Sequence, residues 1–133
     1  MKKIILAFEG GERWGLAFTF ALRLAATFNA ELLIVKVTPL ADYEKLLDSG
    51  ADDGCEELRC FCDQAKGEGV SCRYRISVGR FANQLLKAAE DHHCDLIVVA
   101  GAGLRETTEQ ATEAEVLEIL REARCPVTVV NKS

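Results

Sequence analysis

The residues with chemistry of their own in this 133-residue chain are six cysteines, two histidines, and carboxylates and glycines at the ends of apolar runs. Cys55, Cys60 and Cys62 lie close together, with four and then one intervening residues. Three neighbouring thiols are raw material for a metal site or a redox sensor. The spacing lacks a Cys-x-x-Cys pair, and on a helix Cys60 and Cys62 face different sides. We read them as packing thiols, because free cysteine is commonly buried. Cys72, Cys94 and Cys125 fall in or beside apolar runs and read as core thiols. His92-His93-Cys94 has the composition of a ligand cluster. Adjacent side chains diverge, however, and histidine is electrostatically favoured at a helix C-terminus, so capping is expected there and no metal. Glu9 closes the first apolar run. It reads either as a contact for a ribose or metal or as a solvated carboxylate. No nucleophile–base pair suited to hydrolysis is visible.

The elements that position these residues follow from hydrophobic periodicity. Ile4 to Phe8 is a short apolar run ended by Gly10-Gly11, the pattern of a strand buried on both faces. From about Glu12 to Phe28, the residues Trp14, Ala17, Phe18, Ala21, Leu24, Ala25 and Phe28 recur at helical spacing and form one apolar face. Trp14 is expected on that face as an apolar anchor. Leu32 to Val37 is a second buried strand, closed by Thr38-Pro39. Residues 41–68 carry a helical pattern that Gly50 and Gly54 interrupt, which predicts two helical pieces with a break, or one poorly formed helix. Val70 to Val78 alternates apolar and polar residues, as an edge strand does. Phe81 to about His93 is a helix, Asp95 to Ala100 a buried strand, and Val116 to Ala123 a last amphipathic helix. Cys125-Pro126 opens the final strand, Val127 to Val130. Strands alternating with helices predict an α/β fold: one domain over 1–133, with an open, doubly wound, Rossmann-like parallel sheet of five strands and helices on both faces.

The chain is net acidic at −5, with sixteen Lys and Arg against twenty-one Asp and Glu. That is a poor surface for nucleic acid or anionic membrane, and neither is expected as a partner. The apolar run after Met1-Lys2-Lys3 is too short for a signal peptide or a membrane span. A cytoplasmic protein with reduced thiols is expected.

The order of these pieces resembles the universal stress protein family, along essentially the whole chain. The resemblance rests on Lys2-Lys3-Ile4-Ile5-Leu6, Ala30-Glu31-Leu32-Leu33-Ile34-Val35-Lys36-Val37, Val78-Gly79-Arg80-Phe81-Ala82, Cys94-Asp95-Leu96-Ile97-Val98-Val99 and Arg124-Cys125-Pro126-Val127. It implies strand order 3-2-1-4-5, cytoplasmic homodimers and a role under stress. Some members bind ATP and others do not. A ligand in such a sheet sits outside the carboxyl ends of the strands, where strand order reverses. The resemblance places Ala7, Phe8, Glu9, Gly10, Val37, Ala100, Gly101, Gly103, Glu113, Ala114, Glu115 and Val116 around that position.

ATP-binding members carry Gly, two residues, Gly, nine residues, then Gly with Ser or Thr. Glycines let backbone N–H groups approach phosphate, and the hydroxyl at a helix start adds a donor. Counted back from Cys125-Pro126, those positions hold Ala100, Gly103, Glu113 and Ala114. One glycine of three remains and the hydroxyl is missing. From Leu104 to Glu115 the chain carries Glu106, Glu109, Glu113 and Glu115 against Arg105. Two like charges about 4 Å apart repel by roughly 4 kcal/mol near a surface. A bound triphosphate is opposed unless Mg²⁺ or Lys36 compensates. The expectation is a non-enzymatic stress protein without a cofactor, acting on unidentified protein partners. Its exposed last strand, Val127, Thr128, Val129 and Val130, is expected to form the homodimer. The alternative is a nucleotide-dependent switch with at most weak hydrolysis. A phosphate-accepting response regulator fails for want of an Asp after strand three, where Val78-Gly79-Arg80 stands. An ATP-pyrophosphatase loop fails because Glu9-Gly10-Gly11-Glu12 keeps only its two glycines.

Overall fold

The computed structural model describes residues 2–8, 14–38, 40–49, 55–100 and 113–130. Five strands, β1 (Lys3–Phe8), β2 (Glu31–Thr38), β3 (Cys72–Val78), β4 (Leu96–Ala100) and β5 (Val127–Val130), pair in parallel in the order β3-β2-β1-β4-β5. Five helices connect them: α1 (Trp14–Phe28), α2 (Leu40–Ser49), α3 (Cys55–Gly67), α4 (Phe81–Asp91) and α5 (Glu113–Glu122). The expected doubly wound architecture is thus present, with α2 ending at Ser49 and α3 starting at Cys55.

Successive strand residues point to opposite faces, and both faces are covered. Ile4, Leu6, Phe8, Leu32, Ile34, Leu96 and Val98 pack with α1 and α3. Ile5, Ala7, Leu33, Val35, Val37, Ile97 and Val99 pack with α4 and α5. This is why the central strands read as unbroken apolar runs. Strand β3 lies at the sheet edge, as its alternation predicts. One correction concerns α1, where Phe28 is 52% exposed and not part of its apolar face, while Leu22 is buried. Phe28 is the last residue of the helix, where the chain turns away before reaching the sheet.

Three helices stop in the same way. Asn29, Gly69 and His93 adopt positive φ of 54°, 84° and 52°. The N–H groups of Ala30, Val70 and Cys94 then donate to Ala25, Ala65 and Ala89 five residues back. This closure satisfies carbonyls that the helix leaves orphaned. His93 therefore sits at the helix end for a backbone reason. His92 precedes it as the C-cap residue, with its ring Nε2 3.5 Å from Arg75 Nη1. No described helix is long and apolar enough to cross a membrane.

Candidate functional site

The strand order reverses between β1 and β4. Among the described residues the β1–β4 ladder runs from Ile4↔Leu96 to Leu6↔Val98. Both strands continue two residues further, to Phe8 and Ala100. Their other partners follow them: β2 to Phe8↔Lys36, and β5 to Ala100↔Val130. The strands part where the order reverses, which is the expected ligand position in an open α/β sheet.

Of the twelve residues assigned to this position from sequence, the structure brings Ala7, Phe8, Val37 and Ala100 to the carboxyl ends of three neighbouring strands. Ala7 and Val37 are fully buried on the α4/α5 face, and Phe8 is buried on the α1/α3 face. Val116 packs half-buried against the α4/α5 core. Ala114 is exposed. Glu9, Gly10, Gly101 and Gly103 lie outside the described residues, as do the side chains of Ala100, Glu113, Trp14 and Cys55.

Two features of the region were not anticipated. The first is Thr38, at the end of β2 beside Val37. It is 4% exposed, and its Oγ1 has no hydrogen-bond partner among the described residues. A buried hydroxyl without a partner costs free energy, and such groups concentrate where a ligand or water completes the site. Its carbonyl accepts the Gly79 N–H at 2.9 Å, which ties the β3–α4 turn to β2. Gly79 itself has φ of +145°, a backbone conformation that favours glycine at this turn.

The second is a charge cluster. Arg80 Nη2 lies 2.7 Å from Glu118 Oε2 and 3.1 Å from Glu115 Oε1. The Ala82 N–H donates to Glu115 Oε2 at 2.9 Å. Arg80 is the N-cap residue of α4 and supplies no side-chain cap of its own. Glu115 reaches across from α5 and caps α4 instead, beside the positive end of its dipole. Its charge, counted against phosphate on sequence grounds, is therefore engaged by Arg80 and α4. Spacings of 35 and 38 residues gave no local sign of this cluster.

The thiols separate by environment. Cys62 and Cys72 are buried, Cys60 is exposed, and Cys94 and Cys125 are only partly buried. Cys94 and Cys125 thus line the core edge and are not enclosed by it. They border a cavity of about 330 Å³ at the opposite pole of the sheet, between the C-terminal ends of α4 and α5. Burial pushes the Cys94 thiol up to about 11 and raises that of Cys125. Both are held as neutral thiols at physiological pH. Among the described residues no group of three or more His, Cys, Asp or Glu is arranged to hold a metal ion.

Known proteins match this architecture along its length. The universal stress protein MJ0531 of Methanocaldococcus jannaschii is 28% identical, over 98% of this chain and 82% of its own. The universal stress protein UspA of Lactobacillus plantarum superposes with a TM-score of 0.80 at 21% identity, covering 97% of each chain. A universal stress protein family protein of Arabidopsis thaliana, solved with AMP bound, gives a TM-score of 0.77 at 17% identity, over 100% of this chain and 93% of that one. The family model of the universal stress proteins matches residues 1–131. The chain belongs to the universal stress protein family.

Proposed function

We propose that this chain is a cytoplasmic, non-enzymatic universal stress protein that acts as a homodimer and does not use ATP. The observation that carries this reading is the start of α5. The helix begins at Glu113-Ala114, at the positions where ATP-binding members place Gly and Ser or Thr. A carboxylate and a methyl group supply neither the close backbone approach nor the hydroxyl donor that phosphate needs. Calorimetric titration with ATP at millimolar nucleotide, with and without Mg²⁺, tests it. The expected result is no saturable heat and no thermal stabilisation. Saturable binding of ATP overturns the reading.

The homodimer reading rests on β5. Among the described residues it pairs with β4 alone and has no strand on its other edge, with Val127, Thr128, Val129 and Val130 each half-buried. Leu117 and Leu120 of α5 add exposed apolar surface, at 57% and 46%. An apolar edge strand invites pairing, and a second copy supplies it. Val129→Lys is expected to give monomers by light scattering; an unchanged dimer removes β5 from the interface.

One observation favours a second reading. The Thr38 hydroxyl, without a partner among the described residues, offers both a donor and an acceptor to a ligand at the strand ends. AMP carries a base and ribose without the triphosphate that Glu113 opposes, and the Arabidopsis thaliana relative was solved with it. Saturable AMP binding that Thr38→Val weakens, with ATP still inert, selects this reading.

A further inference from the structure

Cys62 and Cys72 sit on different elements, α3 and β3, yet their sulfurs lie 3.1 Å apart. Both are enclosed in the α1/α3 core, at 4% and 2% exposure, with Leu58, Ala65 and Val70 in the same cluster. Bonded sulfurs sit at about 2.05 Å, so roughly 1 Å of approach separates the two states. Small rotations of two side chains can supply it. We propose that Cys62 and Cys72 form a reversible intrachain disulfide under oxidising conditions, tying α3 to the edge strand β3.

The hydrogen bond between them assigns the roles. The Cys72 S–H donates to Cys62 Sγ, so Cys62 is the sulfur whose negative charge is supported. Lys66, one helical turn on, favours negative charge on either sulfur. A hydroperoxide is the oxidant class that completes the step. The Cys62 thiolate attacks one peroxide oxygen and the O–O bond breaks; with hydrogen peroxide, the departing hydroxide takes up a proton and leaves as water. Cys62 is now a sulfenic acid. The Cys72 sulfur attacks it, the S–O bond breaks, and a second water leaves with the Cys72 proton. The two thiols lose two electrons and the peroxide gains them. A small thiol reverses the bond by exchange.

Burial raises the pKa of both thiols, which keeps them protonated while α3 is seated. Oxidation therefore runs through transient lifting of α3 and is slow compared with attack on an exposed thiolate. Once formed, the bond suppresses that lifting. The inference is independent of nucleotide binding and of the dimer.

The test is mass mapping of the full chain after hydrogen peroxide treatment and alkylation in denaturant. Cleavage after Arg59, Lys66 and Arg73 leaves Cys60 and Cys62 on one peptide, so the Cys60→Ser variant is mapped beside the natural protein. The expected product in both joins the peptide bearing Cys62 to that bearing Cys72, lighter by two hydrogens and restored by dithiothreitol. Backbone amide exchange in α3 is expected to slow several-fold in the oxidised form. In Cys72→Ser, Cys62 is expected to stop at the sulfenic acid and be captured by dimedone. Full alkylation of Cys62 and Cys72 after peroxide, a link through Cys60 in place of Cys62, or unchanged α3 exchange each overturns the proposal.

Discussion

The two faces of the sheet are fastened differently. On one, α1 alone buries Ala17, Phe18, Ala21, Leu22 and Ala25, and Phe18 meets Phe61 of α3 edge-on with ring centroids 4.9 Å apart. On the other, Ile119 is the single fully buried side chain of α5 among the described residues, with Val116 and Ala123 half-buried. There the start of α5 is held by Arg80 against Glu115 and Glu118, and by the Ala82 N–H on Glu115. Burying a large apolar side chain contributes about 1.5–3 kcal/mol, whereas an exposed ion pair contributes under about 1. The first face thus holds its helices by area, without direction. On the second face α4 is held by area as well, through Phe81, Ala82, Leu85 and Ala88, while α5 relies more on weaker polar contacts that fix where it begins relative to α4. Position at the candidate site depends on the weaker and more directional fastening.

The comparison can be broken at its strongest point. Phe18→Ala is expected to cost about 3–5 kcal/mol in urea denaturation, by lost transfer and a residual cavity. Ile119→Ala is expected to cost less, about 2–3 kcal/mol, because the thinner packing around α5 collapses more easily. If Ile119→Ala costs as much as Phe18→Ala, the two faces are equally packed and the contrast fails. Glu115→Ala sharpens the polar side. It removes the cap of α4 and is expected to cost about 1 kcal/mol. Arg80→Ala is expected to lose less, since the Ala82 N–H keeps its acceptor; raised salt should shrink the Arg80→Ala loss further, as denaturation in added chloride will show.

The smallest expected effect lies at the opposite pole. The Asp95 carboxylate accepts the N–H groups of Lys2 and Lys3 at 2.7 and 2.9 Å, which hold it below the usual carboxylate range. Its folded pKa is depressed, so its stabilisation is present above the ordinary value near 3.9 and is lost as pH falls through the folded value. Asp95→Asn is expected to lower Tm slightly at neutral pH. The two melting curves should converge in acid. A difference that persists there would assign the effect to shape and not to charge.

Much of the fold is legible in the residues because burial on two faces leaves a plain record. Ile4 to Phe8 and Leu32 to Val37 are continuous apolar runs, and β3 alternates because one of its faces meets water. The position of the candidate site follows from strand order, and four of its proposed residues stand at the strand ends. What stayed hidden depends on distant parts meeting. Cys62 belongs to a helical pattern and Cys72 to a strand pattern, and neither period predicts that their sulfurs touch. Arg80 and Glu118 look like separate solvated charges until α4 and α5 are placed side by side. Phe28 fits the helical spacing of α1 but falls on its last residue, where periodicity carries no information about where the chain turns. Thr38 reads as a turn residue before Pro39, and only its enclosure reveals a buried hydroxyl without a partner among the described residues.

The helix endings at Asn29, Gly69 and His93 also bear on how such a chain can diverge. Each closure leads into the strand that follows within a few residues, and the Glu31 N–H is already on the Lys2 carbonyl two residues after Asn29. Strand side chains alternate with a period of two, so one residue inserted between Asn29 and Glu31 would turn Leu32 and Ile34 away from α1 and towards α4. At this pole, chain length is therefore a digital quantity: substitutions can accumulate, but a single insertion or deletion scrambles a whole strand.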